Sequence, residues 1–180
     1  MVDVRQDMDN ASRSPATCKI VVMGVSGSGK THIGRQLAEK LDLRFYDADD
    51  FHCEANVQKM SQGIPLTDDD RVQWLADLAE LIQQESGLVL ACSALKPAYR
   101  QRLREGNDTL NFIYLKGDFD TIMHRLDQRA AHYFKGQQML TSQFETLEEP
   151  LPGEAIEIDI KQNAESVVAS CLAALGHQTE

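Results

Sequence analysis

One stretch decides the fold of this 180-residue chain: Gly24-Val25-Ser26-Gly27-Ser28-Gly29-Lys30-Thr31. It follows a short apolar, β-branched run over Lys19–Met23, which predicts a buried strand, and helical spacing begins at Lys30. The pattern G-x-x-x-x-G-K-[ST] between a strand and a helix is typical of a loop that binds phosphate groups. Its glycines let backbone N–H groups turn inward, and the helix N-terminus adds partial positive charge. The alternative is a glycine-rich turn that carries an exposed lysine.

The two side chains that end this loop have the chemistry that a nucleoside triphosphate requires. Lys30 supplies a mobile positive charge for the β- and γ-phosphates, and Thr31 offers a hydroxyl to Mg²⁺. We therefore predict that the eight residues of the phosphate loop, Gly24–Thr31, bind a nucleotide. The chain has no N-K-x-D motif, which argues against a guanine-specific switch.

Strand and helix patterns alternate along the rest of the chain. Apolar runs predict four further strands, at Arg44–Tyr46, Leu88–Cys92, Asn111–Leu115 and Ala155–Ile160. Helical spacing occurs at Lys30–Leu41, at Asp68–Gln84, after Asp118 and at Val167–Leu175. Alternating strands and helices imply βαβ units. The sequence therefore predicts an α/β protein of three layers, in which helices cover both faces of a five-stranded parallel sheet.

The helix predicted at Asp68–Gln84 has the most detailed pattern. Thr67 and Asp70 have the spacing of a capping box, which indicates where the helix begins. Apolar residues at helical spacing predict its buried face: Val72, Leu75, Leu78, Ala79 and Ile82. Trp74 lies beside that face, so we interpret it as a packing residue rather than one that stacks on adenine.

We predict one domain over residues 18–176, with a flexible polar leader at 1–17 and a tail at 177–180. No repeat or linker divides the chain. The stretch 129–153 is polar, glutamine-rich and contains two prolines, and it is too long for a simple connection. We expect this stretch to form a mobile lid.

Composition and charge narrow the classes of partner. Hydrophobic residues make up 42% of the chain and charged residues 26%, which suits an ordinary soluble core. The formal net charge of −10 argues against binding to nucleic acid or to an anionic membrane, since both need a basic surface. No apolar stretch matches a transmembrane helix or a signal peptide. The four cysteines lie far apart without a C-x-x-C pair, which suits a reducing cytoplasm.

An acidic cluster, Asp47-Ala48-Asp49-Asp50, follows the second predicted strand. Asp47 and Asp49 are two residues apart at a strand end, so we expect their carboxylates on the same side of the backbone. One of them can hold the Mg²⁺ shell while the other accepts a proton from an attacking hydroxyl. The third strand ends in Ala91-Cys92-Ser93 and offers no acid for these roles. The alternative is a solvated acidic turn without chemistry.

Together these motifs resemble those of the gluconokinase family, a group of P-loop small-molecule kinases related to shikimate and nucleoside monophosphate kinases. The resemblance extends from about Lys19 to Leu175. The phosphate loop alone indicates only a nucleotide phosphate, whereas three other segments are much more specific: the acidic turn continued by Phe51-His52, Cys92-Ser93-Ala94-Leu95-Lys96, and Ser142-Gln143-Phe144-Glu145-Thr146-Leu147-Glu148. The chain departs from the family pattern at Ala48, Cys53 and Gln73, where the family commonly has glycine, proline and proline.

The resemblance implies transfer of the ATP γ-phosphoryl group to the 6-hydroxyl of D-gluconate, giving 6-phosphogluconate and ADP. It assigns Asp49 as the general base that contacts the sugar hydroxyl. Thr31 becomes a direct Mg²⁺ ligand and Asp47 a ligand through water. Arg125 and Arg129 share a helix face and are similar to lid arginines that close on the phosphates. The alternative for this pair is an exposed basic face without a role in catalysis.

Gluconate carries a carboxylate, so its pocket needs fixed cations. Arg71, Lys96 and Arg100 occupy family-like positions beside the acidic turn or the third strand, and each is a candidate for this contact. His52 either hydrogen-bonds a substrate hydroxyl or braces the acidic turn. His132 has the same two alternatives within the predicted lid.

Two other functions stay open on the sequence. One is a kinase of another small sugar acid or polyol on the same fold, and the other is a non-catalytic nucleotide switch. A switch has no need for an acid pair and a cluster of cations beyond the phosphate loop. The resemblance also implies a homodimer, although the sequence shows no coiled-coil pattern or apolar seam.

Overall fold

The computed structural model describes residues 17–129 and 133–176. Apart from Thr17, the predicted leader lies outside these residues, as does the predicted tail. Five strands form one sheet: β1 (Lys19–Met23), β2 (Arg44–Asp47), β3 (Leu88–Ala91), β4 (Asn111–Lys116) and β5 (Ile156–Asp159). Their order is β2-β3-β1-β4-β5, and every neighbouring pair is parallel. The predicted five-stranded parallel sheet is confirmed.

Seven helices connect and cover the strands in the part of the chain that the structure describes. They are α1 (Lys30–Leu41), α2 (Glu54–Ser61), α3 (Asp68–Gln84), α4 (Pro97–Arg104), α5 (Phe119–Arg129), α6 (Tyr133–Thr146) and α7 (Ala164–Ala174). A 3₁₀ turn over Ala48–Phe51 follows β2 directly. All of these helices are too short or too polar to cross a membrane.

The central strand β1 divides the core into two layers. Ile20 and Val22 pack with residues of α1 and α7 on one face of the sheet. Val21 and Met23 pack with residues of α3 and α4 on the other. A strand buried on both faces is continuously apolar, which is why β1 was recognisable from sequence. The predicted three-layer arrangement is therefore confirmed.

The position of β1 also determines where a ligand can bind. β3 lies on one side of β1 and β4 on the other, so the connections that leave β1 and β3 run to opposite halves of the sheet. In open α/β sheets a crevice forms beside the carboxyl ends of the strands at such a point. The phosphate loop follows β1 and the acidic turn follows β2, so both lie at this edge.

Helix α3 confirms its predicted bounds but not its predicted buried face. Thr67 and Asp70 form the expected capping box. Val72 was predicted to be buried and is 64% exposed, whereas Trp74 is 6% exposed. The prediction for Val72 was wrong because α3 also packs against α4 and the 3₁₀ turn, which rotates its buried arc toward Trp74.

Three helices were not predicted: α2, α4 and α6. Helices α2 and α4 have eight residues each, too few for apolar periodicity to show. Helix α6 lies inside the stretch that the sequence predicts as a lid, where glutamines hide the few apolar positions. Leu140 of α6 is fully buried in the core, so the part of the stretch around Leu140 packs against the core as an ordinary helix.

Candidate active site

At three positions of the phosphate loop, Gly24, Gly27 and Gly29, the backbone φ lies in the positive range that favours glycine, and at the first two a Cβ would also be too close to its neighbours. Gly24 has a φ of 149°, and a Cβ there would lie 2.8 Å from Ser28 Oγ and 2.9 Å from the carbonyl oxygen of Leu115. Gly27 has a φ of 81°, and a Cβ there would lie 2.9 Å from the side chain of Leu126. Any larger residue at either position would force the loop away from this shape.

The N-terminus of α1 is left open for an anion. Its N-cap is Gly29, which makes no side-chain cap, and its first turn contains no acidic residue. The N–H groups of the first turn have no helical partner and carry partial positive charge. Ser28 is 1% exposed, and its hydroxyl has no hydrogen-bond partner among the described residues. These features are those of a phosphate-binding helix start.

Lys30 is drawn back onto the loop itself. Its Nζ donates a 3.0 Å hydrogen bond to the carbonyl oxygen of Val25. Burial lowers the pKa of Lys30 from its ordinary value, and the carboxylates of Asp49 and Asp47 act in the opposite direction. A partly desolvated ammonium interacts strongly with any phosphate that reaches it.

Thr31 and Asp47 meet between α1 and the end of β2. Thr31 Oγ1 donates to Asp47 Oδ2 at 3.0 Å, and the other carboxylate oxygen of Asp47 accepts from the backbone N–H of Asp49 at 3.0 Å. Both side chains offer oxygen, the ligand that Mg²⁺ prefers, so the pair fits this ion. The described residues contain no cluster of three or more His, Cys, Asp and Glu that could hold a metal. Mg²⁺ needs none, because it binds one or two protein groups together with phosphates and water.

Asp49 presents its carboxylate outward from the 3₁₀ turn, and 82% of its side chain is exposed. The pKa of Asp49 is raised, first by the protein atoms that displace water around it and then by the charge of Asp47. His52 and Lys30 act in the opposite direction. An accessible carboxylate with a raised pKa suits a general base.

His52 lies behind this turn. Its side chain is 4% exposed, and its Nε2 is 4.0 Å from Asp49 Oδ1. The imidazole stacks on Trp74 with ring centroids 4.3 Å apart, and Trp74 Nε1 donates to the carbonyl oxygen of Ala48 at 2.8 Å. Burial lowers the pKa of His52. Of the two alternatives for His52, this geometry favours bracing the acidic turn.

Two of the three predicted substrate cations converge on one tyrosine. The guanidinium of Arg71 donates to the Tyr99 hydroxyl at 3.3 Å, and Lys96 Nζ lies 5.6 Å from the Tyr99 ring centre. Tyr99 donates to the carboxylate of Asp68, which also accepts from Lys96 at 3.0 Å. The hydrogen bonds from Tyr99 and Lys96 lower the pKa of Asp68. Asp68 neutralises one of the two cations, so the cluster keeps a single net positive charge.

The third cation, Arg100, is placed differently. It is 0% exposed, and all three guanidinium nitrogens are engaged: Nε with Glu154 at 2.6 Å, Nη1 with the Ala94 carbonyl at 2.8 Å and Nη2 with the Glu148 carbonyl at 3.1 Å. The predicted contact between Arg100 and a substrate finds no support in this arrangement. Arg100 instead ties α4 to the segment that follows α6.

A cavity of about 290 Å³ opens beside the phosphate loop. Its lining includes Ser28 and Gly29 of the loop, Arg125 and Gln128 of α5, and Asn163 at the start of α7. Arg125 also donates to the carbonyl oxygen of Ile160. The structure thus brings Arg125 to the loop, whereas the side chain of Arg129 and all of His132 lie outside the described residues.

Asp68 and Tyr99 were not predicted as functional residues. Asp68 begins a run of three acids in the first turn of α3, where negative charge favours a helix N-terminus whatever its function. Tyr99 is one residue before Arg100 and is 6% exposed, so it has the pattern of a core residue. Only the meeting of α3 and α4 shows that the two side chains pair.

The fold and the phosphate loop together define the class of this protein: it is a P-loop kinase. The family model described as shikimate kinase matches residues 26–175. The chain is 50% identical over 158 residues to the thermoresistant gluconokinase of Escherichia coli K12, covering 84% of this chain and 90% of that protein. It is 43% identical to the gluconokinase of Gluconobacter oxydans 621H over 73% of this chain and 75% of that protein. The chain therefore belongs to the shikimate kinase family, on its gluconokinase branch.

Solved structures agree with this placement. A gluconokinase from Sinorhizobium meliloti 1021 is 40% identical and has a TM-score of 0.84, covering 89% of this chain and 93% of that chain. A shikimate kinase from Bacteroides thetaiotaomicron is 18% identical with a TM-score of 0.62, covering 88% and 98%. The second likeness shows a common fold.

Proposed function

We propose that this protein transfers the γ-phosphoryl group of ATP to the 6-hydroxyl of D-gluconate, giving 6-phosphogluconate and ADP. One observation carries the proposal: Asp49, an exposed carboxylate with a raised pKa, lies close enough to Lys30 of the phosphate loop for that charge to act on it, and it is 4.0 Å from His52, on which the charge of Arg71 acts. The high identity to gluconokinases supports the same substrate. Phosphoryl transfer depends chiefly on positioning and charge stabilisation, which this arrangement supplies.

The nucleotide is held at two places in this proposal. The loop amides and Lys30 bind the β- and γ-phosphates, and the cavity beside Arg125 receives the nucleoside. The cavity lining contains amide side chains at Gln128, Gln162 and Asn163, which have both donors and acceptors for a base and a ribose. Arg125 adds positive charge next to the phosphates, and we extend the same role to Arg129.

Thr31 and Asp47 would hold Mg²⁺, Thr31 directly and Asp47 through water. When bound, the ion neutralises charge that develops on the phosphate oxygens. The hydrogen bond between the two side chains keeps their oxygens side by side. The second carboxylate oxygen of Asp47 accepts a hydrogen bond from the backbone N–H of Asp49. The Asp47 carboxylate is therefore held in one orientation relative to the Thr31 hydroxyl.

Asp49 accepts the proton of the sugar hydroxyl as the phosphoryl group arrives. Its ionised form is the active one, because a protonated carboxyl accepts no proton. His52 and Trp74 hold the turn that carries Asp49. Burial, and after it the charge of Arg71, lowers the pKa of His52, whereas the charge of Asp49 acts in the opposite direction.

The carboxylate of gluconate binds at Arg71 and Lys96. An arginine offers a bidentate site for a carboxylate, and the net charge of the cluster with Asp68 and Tyr99 is positive. Arg100 is left out of this role because its donors are used inside the protein.

An ADP-release assay over a panel of sugar acids tests the proposal. We expect gluconate-dependent turnover well above the ATP hydrolysis seen without acceptor. A preference for L-idonate or a ketogluconate would indicate a kinase of another sugar acid. The absence of any acceptor-dependent turnover would contradict the enzyme assignment and favour a nucleotide switch.

The single domain, the mobile lid, the cytoplasmic location and the homodimer are also proposals. The proposed lid excludes residues 140–148, which pack on the core. The two packed core layers support one folding unit over the described residues. Light scattering on the purified protein tests the homodimer, and a mass equal to one chain at working concentration would contradict it.

A further inference from the structure

Gln143 belongs to the S-Q-F-x-x-L-E segment, to which the proposed function gives no role. It lies on α6, and its Oε1 accepts a 2.5 Å hydrogen bond from the backbone N–H of Ser26. Ser26 is the third residue of the phosphate loop. A side chain of α6 therefore contacts the loop directly, across a separation of 117 positions in the chain.

The peptide that links Val25 to Ser26 is held from both of its sides. In a trans peptide the C=O and N–H groups point in opposite directions, and the described residues contain no cis peptide. The N–H of Ser26 faces Gln143. The carbonyl oxygen of Val25 accepts from Lys30 Nζ at 3.0 Å and from the Ser28 N–H at 3.2 Å. Gln143 thus fixes the rotation of the peptide whose carbonyl receives the lysine ammonium.

Helix α6 is a firm base for this contact. Leu140, one turn before Gln143, is fully buried. The ring of Phe144 meets the edge of Phe119 with centroids 5.6 Å apart. The backbone N–H of Glu148 donates to the carbonyl oxygen of Leu95 at 2.9 Å. Because residues before and after Gln143 contact the core, Gln143 restrains the Val25–Ser26 peptide and does not move with it.

We infer that Gln143 is a positioning residue for phosphoryl transfer. It holds the Val25–Ser26 peptide and, through the Val25 carbonyl, sets the resting place from which Lys30 reaches the phosphates. The inference rests on the proposed function. A competing role for the same contact is restraint of nucleotide binding, in which Gln143 occupies a loop amide that ATP must take.

Two variants separate the hydrogen-bond acceptor from the volume of the side chain. Gln143→Met keeps the length of the side chain and loses the hydrogen-bond acceptor, whereas Gln143→Glu keeps an acceptor. Gln137→Met is the matched control, since Gln137 is exposed on the same helix. We expect Gln143→Met to lower kcat on the order of tenfold or more, with the KM for gluconate unchanged and the melting temperature close to that of the parent protein.

Gln143→Glu should recover most of this kcat, with a higher KM for ATP because its added negative charge opposes the triphosphate. The control should match the parent protein in both constants. Equal kcat losses in the Met and Glu variants would overturn the inference, because the acceptor would then be irrelevant. A lower KM for ATP with unchanged kcat in Gln143→Met would also overturn it, in favour of restraint.

A second measurement does not depend on the reaction. NMR hydrogen exchange of the Ser26 amide in nucleotide-free protein should be faster in Gln143→Met than in the parent and in Gln137→Met. Unchanged exchange would show that the contact does not form in solution and would overturn the inference. A parent protein that fails to phosphorylate gluconate would instead contradict the proposed function. The exchange data would still show whether the hydrogen bond between Gln143 and the Ser26 amide forms.

Discussion

Thr31 and Asp47 are joined by a 3.0 Å hydrogen bond that connects the first turn of α1 to the end of β2. The strands that lead to these residues are not neighbours, because β3 lies between β1 and β2. The bond therefore bridges the crevice at the carboxyl edge of the sheet. It brings the two oxygen ligands proposed for Mg²⁺ into contact before any ion binds.

Asp47→Asn should raise the Mg²⁺ concentration needed for half-maximal activity on the order of tenfold. The asparagine keeps the shape of the side chain and an acceptor for Thr31, but it loses the negative charge that attracts the hydrated ion. Activity is measured against free Mg²⁺ at saturating ATP and gluconate. Asp42→Asn, on an exposed residue at the end of α1, is the control, and an unchanged Mg²⁺ dependence in Asp47→Asn would remove Asp47 from the metal site.

Lys30→Ala should lower kcat by at least about a hundredfold, a typical cost of removing one donor from transition-state charge. The fold should survive, because the hydrogen bond that the lysine donates among the described residues goes to the Val25 carbonyl of the loop itself and joins no two elements of the fold. Circular dichroism and the melting temperature check folding, and steady-state kinetics check activity. A folded variant with nearly full kcat would contradict the assignment of Lys30.

Asp49→Asn should lower kcat by about a hundredfold or more, the scale of general-base catalysis, while ATP affinity stays close to that of the parent. Asp50→Asn is the matched control, since Asp50 is the next residue of the same exposed turn. Isothermal titration with an ATP analogue measures affinity separately from turnover. Loss of nucleotide affinity without loss of kcat would assign Asp49 to the metal instead.

The acid limb of the pH profile of kcat/KM should report the ionisation of Asp49. A base is active when ionised, so kcat/KM should rise with pH through the pKa of Asp49. That pKa is raised by displacement of water and by the charge of Asp47, so the limb should lie above the ordinary range of an aspartate. In Asp47→Asn, measured at saturating Mg²⁺, loss of that charge should move the limb to lower pH. A limb that stays in place would contradict electrostatic coupling between the two carboxyl groups.

Replacement of Arg100 by methionine should mainly reduce stability, whereas replacement of Lys96 by methionine should mainly weaken gluconate binding. Arg100→Met breaks a buried ion pair with Glu154 and should lower the free energy of unfolding by about 3–5 kcal/mol. Lys96→Met should cost less than about 1 kcal/mol, because its pair with Asp68 is exposed, and should raise the KM for gluconate. Urea unfolding and steady-state kinetics measure the two effects. A rise in gluconate KM confined to Arg100→Met would restore Arg100 to the substrate site.

The motif-bearing parts of this protein could be predicted because they depend on neighbours in the chain. β1, the phosphate loop and α1 follow one another directly, so an apolar run, three glycines and a lysine at fixed spacing are enough to place them. The capping box at Thr67 and Asp70 is equally local. The acidic turn was predicted because its two carboxylates are two residues apart and directly follow a strand.

Val72 and Arg100 show where local pattern is not enough. Val72 has the spacing of a buried residue, yet the packing of α3 against α4 and the 3₁₀ turn leaves it 64% exposed. Arg100 has the chemistry to bind a substrate carboxylate, yet its guanidinium is paired with Glu154, which lies 54 positions away in the chain. In both cases a distant segment decides the environment of the side chain.

By itself the sequence determined the class of sheet, the position of the phosphate loop and the pair of acids beside it, because periodicity, turns and strand ends follow from adjacent residues. Only the tertiary structure decided which polar side chains meet. It paired Thr31 with Asp47, Tyr99 with Asp68 and Gln143 with the Ser26 amide. The physical reason is that hydrogen bonds and charges act over a few ångströms in space, and a chain brings remote residues to that distance only when its helices and strands have packed.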